Sequence, residues 1–105
     1  MRKLLAAFAA ATMLALTSGA EAQTYPDRTI TVVVPFAAGG PTDTVTRLVA
    51  EAMSKDLGQQ IVVENVGGAG GMTGSNRVKS APPDGYTMVL ATVGTHAQNQ
   101  TLYKK

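Results

Sequence analysis

Residues 30–43 constrain the fold of this chain more than any other segment. An apolar, largely β-branched run stops at Pro35, glycines follow at positions 39 and 40, and Pro41 opens a helical pattern. Strands as uniformly apolar as this one are typical of parallel sheets covered on both faces. The segment therefore predicts a buried strand that leads through a glycine-rich loop into a helix. Such a loop presents backbone N–H groups to an anion, and the helix dipole favours the same charge.

Residues 41–57 have the pattern of an amphipathic helix. Pro41 suits the first helical position, Asp43 lies in the first turn, and Gly58 is placed to end the helix. Apolar side chains recur at three- and four-residue steps and form one stripe. The members of this stripe are Val45, Leu48, Val49, Ala52, Met53 and Leu57.

The rest of the chain repeats the order of strand, loop and helix. Residues 61–64 predict a strand, residues 65–74 a second glycine-rich loop, and residues 73–79 a short helix. Residues 86–91 predict a third strand, residues 91–99 contain a polar third loop, and another helix is expected to begin near Ala97. This alternation predicts an α/β fold built on a parallel βαβαβ unit with right-handed crossovers. All three loops follow the carboxyl ends of strands, where open parallel sheets bind ligands.

The first 22 residues have the pattern of a cleavable signal peptide. Two basic residues precede an apolar run over residues 4–16, and residues 20–22 match the A-x-A cleavage pattern. The apolar run is too short to span a bilayer as a helix. We therefore expect export, cleavage after Ala22 and no further membrane insertion of residues 23–105. An N-terminal anchor helix is the alternative.

The composition excludes several kinds of function. The chain has no cysteine, which excludes disulfides and thiol chemistry, and a formal net charge of only +2 with no basic run among aromatics, which argues against nucleic-acid binding. His96 is the only histidine, and no serine has the context of a nucleophile elbow. The sequence predicts no metal site, no cofactor and no catalytic residue.

The first and third loops predict a site for a carboxylate. Gly39 and Gly40 in the first loop, residues 36–43, allow a ligand to approach backbone amides closely. The alternative is a tight turn in which Asp43 only complements the helix dipole. The third loop carries neutral hydrogen-bonding side chains at Thr92, Thr95, His96 and Asn99. Together the two loops predict binding through amides and hydroxyls with little formal countercharge.

The second loop matches a dinucleotide-binding fingerprint only loosely. Gly68, Gly70 and Gly74 have a lengthened spacing, the loop follows the second strand, and no acidic residue ends the next strand. An exported Rossmann-like enzyme is therefore the weaker alternative function.

Several short motifs occur in the order found in one family of receptors. They are Tyr25-Pro26, Val34-Pro35-Phe36, Gly39-Gly40-Pro41-Thr42-Asp43, Gly58-Gln59, Val63-Glu64-Asn65, Gly68-Ala69-Gly70-Gly71, residues 81–86, and Gly94-Thr95-His96-Ala97 with Asn99. Their combination closely resembles the extracytoplasmic solute receptors of the tripartite tricarboxylate transporter family, the Bug or TctC-type proteins. The resemblance covers essentially all of residues 23–105.

The resemblance implies part of lobe one of a type II periplasmic-binding-protein fold. Such receptors close two lobes on a small carboxylate and deliver it to membrane transporter subunits without catalysis. By position, the resemblance implies that Gly70 and Gly71 shape the second loop. The implied ligand-binding residues are Ala38, Gly39, Gly40, Asp43, Thr92, Thr95, His96 and Asn99.

Members of this family are several times longer and carry a second lobe. We therefore expect residues 23–105 to be a truncated N-terminal α/β lobe, marginally stable and weak in ligand binding when alone. A receptor fragment with no function of its own is a further alternative. The ligand stays open among tricarboxylates, dicarboxylates, amino acids and aromatic acids.

Overall fold

A computed structural model describes residue 1 and residues 22–103 of the chain. The predicted signal peptide falls almost entirely on residues 2–21, outside the described part. Within the described residues, no helix has the length and apolar character needed to cross a membrane.

Three parallel strands form one sheet in the order β2-β1-β3, with the first strand at its centre. The strands are β1 (Ile30–Val34), β2 (Ile61–Asn65) and β3 (Thr87–Val89). The helices are α1 (Pro41–Leu57), α2 (Met72–Lys79) and α3 (Asn99–Leu102), with a 3₁₀ turn at Ala69–Gly71 before α2 and a π-helical turn at Gly94–Gln98 before α3. The predicted α/β fold with a parallel βαβαβ unit is confirmed.

The bounds of α1 agree with the predicted helix over residues 41–57, and Gly58 ends it with a φ of +67°. The third strand is shorter than the prediction of residues 86–91, because β3 has only β1 as a partner and the chain leaves the sheet after Leu90 donates its N–H to Val33 O at 2.9 Å. The helix expected to begin near Ala97 is present, as the π-helical turn at Gly94–Gln98 that continues into α3 at Asn99.

Alternate residues of the strands face two different helices. α1 packs over β2 and β1, whereas α2 packs over β1 and β3. Asn65 at the end of β2 bonds to a side chain of α1, while its neighbour Glu64 forms a 2.6 Å ion pair with Arg77 of α2. The sheet is thus covered on two faces, and its buried centre is formed by Ile30, Val33, Val34 and Ala50.

The face of α1 that lies against the sheet is formed by Ala50 together with two polar residues, Asp43 and Thr46. Most of the predicted apolar stripe lies outside this face, and Met53 is its only half-buried member. The stripe stays exposed because a sheet of three strands with α1 over β2 and β1 offers it no partner among the described residues. Its exposed members are Val45 (57%), Leu48 (65%), Val49 (52%), Leu57 (39%) and Ala52.

The segment before β1 is fastened to the turn before β3. The Tyr25 hydroxyl donates to Gly85 O at 2.6 Å, and the Tyr86 hydroxyl donates to Asp27 Oδ1 at 2.6 Å. The guanidinium of Arg28 lies 4.1 Å from the centre of the Tyr86 ring. These contacts lie at the amino ends of β1 and β3, so they hold the edge of the sheet opposite to the three long loops.

Candidate functional site

The three loops meet at the carboxyl edge of the sheet, and the second loop joins the other two. A Cβ added to Gly71 would lie 2.5 Å from Thr95 Cγ2 in the third loop and 3.4 Å from the Pro35 side chain at the end of β1. The Asn99 amide donates to Gly70 O at 2.9 Å. The second loop therefore packs against its neighbours through its glycines, which agrees with a role for Gly70 and Gly71 in shaping this edge.

The carboxylate of Asp43 organises the first loop. The residue is 3% exposed, and its Oδ2 accepts hydrogen bonds from the Gly39 N–H at 2.8 Å and from Arg47 Nε at 3.1 Å. Its Oδ1 accepts a bond from Asn65 Nδ2 at 2.9 Å. Both oxygens are therefore engaged within the chain, and the loop backbone at Gly39 is fixed to the first turn of α1.

These bonds keep Asp43 ionised. The Gly39 N–H, then the Arg47 and Asn65 side chains, lower the pKa of Asp43 from 3.8 to about 2, against the opposing effect of desolvation. The charge of Arg47 is in turn balanced by Asp43. An incoming anion therefore meets a loop whose own charged groups are already paired with each other.

Asn65 and Arg47 are parts of this network that the sequence-based prediction left out of the site. The Asn65 amide also donates to Phe36 O at 3.2 Å, and Arg47 Nη2 donates to Asn65 Oδ1 at 3.0 Å. The sequence offered a signal for Asn65, because a polar residue ends an apolar strand at the ligand-binding edge of a parallel sheet. It offered none for Arg47, which lies four residues after Asp43 as in many surface ion pairs.

The N-terminus of α1 leaves backbone donors at the same edge. Gly40 precedes the helix in extended conformation and uses no side-chain cap, and the first helical bond runs from the Thr44 N–H to Gly40 O at 3.0 Å. The N–H groups of Thr42 and Asp43 come before that bond and have no acceptor within the helix. Ala38 is exposed at the tip of the loop.

The third loop places three of its four predicted residues in one hydrogen-bonded cluster. The Thr92 N–H donates to Thr95 Oγ1 at 3.0 Å, the Thr95 N–H donates to Thr92 Oγ1 at 3.3 Å, and Thr95 Oγ1 lies 2.8 Å from His96 Nδ1. Asn99 does not join this cluster, because its side chain is buried against the second loop. Thr92, Thr95 and His96 thus form a hydrogen-bonded polar group after β3, the strand that pairs with β1.

The described residues contain no group of three or more histidine, aspartate or glutamate side chains arranged to hold a metal ion. The chemistry that the edge offers is hydrogen-bond donation from helix amides, threonine hydroxyls and an imidazole. Such donors suit a small anion that is bound without a formal counterion.

Comparisons with family models, curated proteins and solved structures all point to the same family. The sequence model of the tripartite tricarboxylate transporter family receptors matches residues 45–105. A UPF0065 protein of Agrobacterium vitis is 58% identical over 76 residues, which cover 71% of this chain and 22% of that protein.

Two solved structures share both sequence and fold with this chain. MatC of Rhodopseudomonas palustris, solved with bound malate, is 53% identical with a TM-score of 0.74 and covers 77% of this chain. A second R. palustris protein, solved with adipate, is 41% identical with the same TM-score and the same coverage. This chain spans 28% and 27% of those two chains, so it corresponds to about a quarter of such proteins.

Proposed function

Because this chain belongs to the receptor family of tripartite tricarboxylate transporters, we propose that it supplies one wall of a carboxylate-binding site in a periplasmic solute receptor. The observation that supports this most directly is the position of Gly71, which lies between Thr95 of the third loop and Pro35, the residue before the first loop, at the carboxyl ends of the paired strands β1 and β3. The chain spans about a quarter of its solved relatives, so the opposite wall belongs to a part of the receptor outside these residues.

The ligand proposed for this wall is a small carboxylate, with malate and adipate as chemical precedents among the relatives. Its carboxylate group would accept hydrogen bonds from the amides at Gly40 and Thr42 and from the hydroxyls of Thr92 and Thr95. The Gly39 N–H is bonded to Asp43, so Gly39 and Asp43 are proposed to shape the first loop. Asn99 is proposed to hold the second loop through Gly70 in the same way.

The same proposal covers location and partners. Residues 1–22 are proposed to be a signal peptide that directs residues 23–105 to the periplasm, where a receptor of this family delivers its ligand to membrane subunits of the transporter. We propose binding and delivery without catalysis, because two further relatives with solved structures are a periplasmic transporter, 56% identical, and the periplasmic binding protein BugD, 57% identical.

A chimaera tests the proposed site. The segment of MatC that matches this chain is replaced by residues 30–103, so that the remainder of the receptor supplies the other wall, and malate binding is measured by calorimetry. We expect the chimaera to bind malate. Thr95→Val should weaken binding roughly tenfold, since it removes one hydroxyl from the site, and with it the acceptor of the Thr92 N–H, without a change in size.

The control for this variant is Thr101→Val, which removes an equivalent hydroxyl from an exposed position on α3. Malate affinity should stay within about twofold of the unmodified chimaera, as is usual for surface changes. A folded chimaera that binds no malate, or one in which the two threonine variants behave alike, would show that this edge is not the carboxylate wall.

A further inference from the structure

An open apolar groove of about 210 Å³ lies between α1 and β3. Val45, Val49 and Met53 of α1 form one side of it, and Val32 and Met88 of the sheet form its floor. We call these five residues the docking face. The polar edge that carries the three loops is not part of it.

The apolar surface of α1 is too wide for the sheet alone. From Leu48 through Val49 to Ala50 it spans roughly 200° of the helix circumference, whereas a helix that buries one face needs roughly 100°. The polar residues within this arc are Thr42, Thr46 and Asp56. The sheet covers the flank with Thr46 and Ala50. The sequence of α1 is therefore that of a helix with a second apolar neighbour, located on the side of the docking face.

The lengths of the relatives indicate what that neighbour is. This chain corresponds to 22–28% of the relatives and solved structures reported above, and every one of those proteins therefore has a much longer part with no counterpart here. The groove opens beside β3, an edge strand of the sheet. Elements added beyond β3 on the α1 side would enter this groove directly.

We infer that the docking face binds an amphipathic helix from the part of a receptor of this family that the chain does not span, and that it does so even when that part is a separate polypeptide. The inference rests on the fold of the proposed receptor but not on its ligand. An experiment can therefore refute binding at the docking face without refuting the carboxylate site. It can equally refute the carboxylate site without refuting binding at the docking face.

Co-expression tests this inference without any ligand. The full 105-residue chain is produced together with the part of MatC that follows its matching segment, and the mixture is analysed by size-exclusion chromatography with light scattering. We expect a one-to-one complex. Val49→Glu should raise the dissociation constant roughly tenfold or more, because it buries a carboxylate in an apolar contact.

Lys55→Glu is the matched control, since it introduces the same carboxylate on the charged flank of α1, where Lys55 pairs with Glu51. Its dissociation constant should stay within about twofold of that of the unmodified chain. Far-UV circular dichroism of each chain alone shows whether the helices survive; Val49 is half exposed, so we expect no loss.

Three outcomes would overturn the inference. They are no complex with the unmodified chain, equal binding by the two glutamate variants, and a homodimer of the chain that Val49→Glu dissolves. The last outcome would assign the docking face to a second copy of the chain.

Discussion

At the scale of single residues, Asp43 links the fold to the candidate site. It is almost completely buried, yet it remains charged because a backbone amide, an amide side chain and a guanidinium all donate to it. The sequence pointed to Asp43 as a ligand-binding residue or as a partner of the helix dipole. The structure adds a third role, since its carboxylate fixes the position of Gly39 and hence the shape of the first loop.

Asp43→Asn is predicted to destabilise the chain above pH 4 and to matter less in acid. The folded-state pKa of Asp43, about 2, lies below its ordinary value of 3.8. The stabilisation is therefore present above 3.8 and is lost as the pH falls through about 2. Urea midpoints of the unmodified chain and of the Asp43→Asn variant are measured from pH 7 down to pH 2. The two midpoints should differ most at neutral pH and converge at the acidic end.

Asp56→Asn is the control for that experiment, because it removes a carboxylate of the same helix outside the network. The pH dependence of its urea midpoint should follow that of the unmodified chain. If the Asp43→Asn difference were the same at pH 7 and pH 2, the network would not be held together by the ionised carboxylate.

At the scale of elements, the close approach of α2 to the first strand sets the arrangement of the loops. A Cβ added to Gly74 would lie 2.7 Å from Val66 O and 3.0 Å from Pro35 Cα. Both are backbone atoms, which have little freedom to move aside. The start of α2 is thereby pressed against the end of β1, and the second loop is carried from β2 across to Thr95.

Gly74→Ala is therefore predicted to destabilise the chain by about 1–3 kcal/mol, the usual cost of overpacking. In an exposed helix the same change would stabilise by up to about 1 kcal/mol, so the sign of the effect distinguishes the two situations. Gly94→Ala is the matched control, since its nearest neighbour is 3.6 Å away. The urea midpoint of Gly74→Ala should fall below that of the unmodified chain, whereas that of Gly94→Ala should rise or stay unchanged. A stabilised Gly74→Ala would contradict the close packing of Gly74.

Much of this architecture follows from local sequence patterns, and the rest depends on tertiary contacts between elements. The pattern of residues 41–57 predicted α1 residue for residue, because proline, an acidic first turn and a terminal glycine mark its ends. It did not show that most of the apolar stripe would lie away from the sheet, since that depends on the number of neighbouring strands. Likewise, the contact of Asn99 with Gly70 depends on a crossing of loops that no local pattern reveals, and ligand binding by Asn99 stays a prediction.

At the scale of the whole molecule, the described residues combine a polar edge of the sheet with an apolar flank of α1 that is left uncovered. The edge brings helix amides and threonine hydroxyls together, and the exposed flank of α1 leaves apolar side chains without a partner among the described residues. Since the chain spans about a quarter of its solved relatives, both features fit a segment that works as part of a larger receptor. Weak ligand binding by the chain alone stays a prediction.

Amide chemical shifts give the most direct test of where the carboxylate binds. The chimaera with MatC is labelled with ¹⁵N on the residues from this chain and titrated with malate. The amide signals of Gly40, Thr42 and Thr95 should shift together with a single affinity. Those of Gly58 and Gly85, in turns at the opposite edge of the sheet, should not move. Shifts confined to other parts of the chain, with the three site amides unmoved in a receptor that binds malate, would contradict the assignment of this edge as the carboxylate wall.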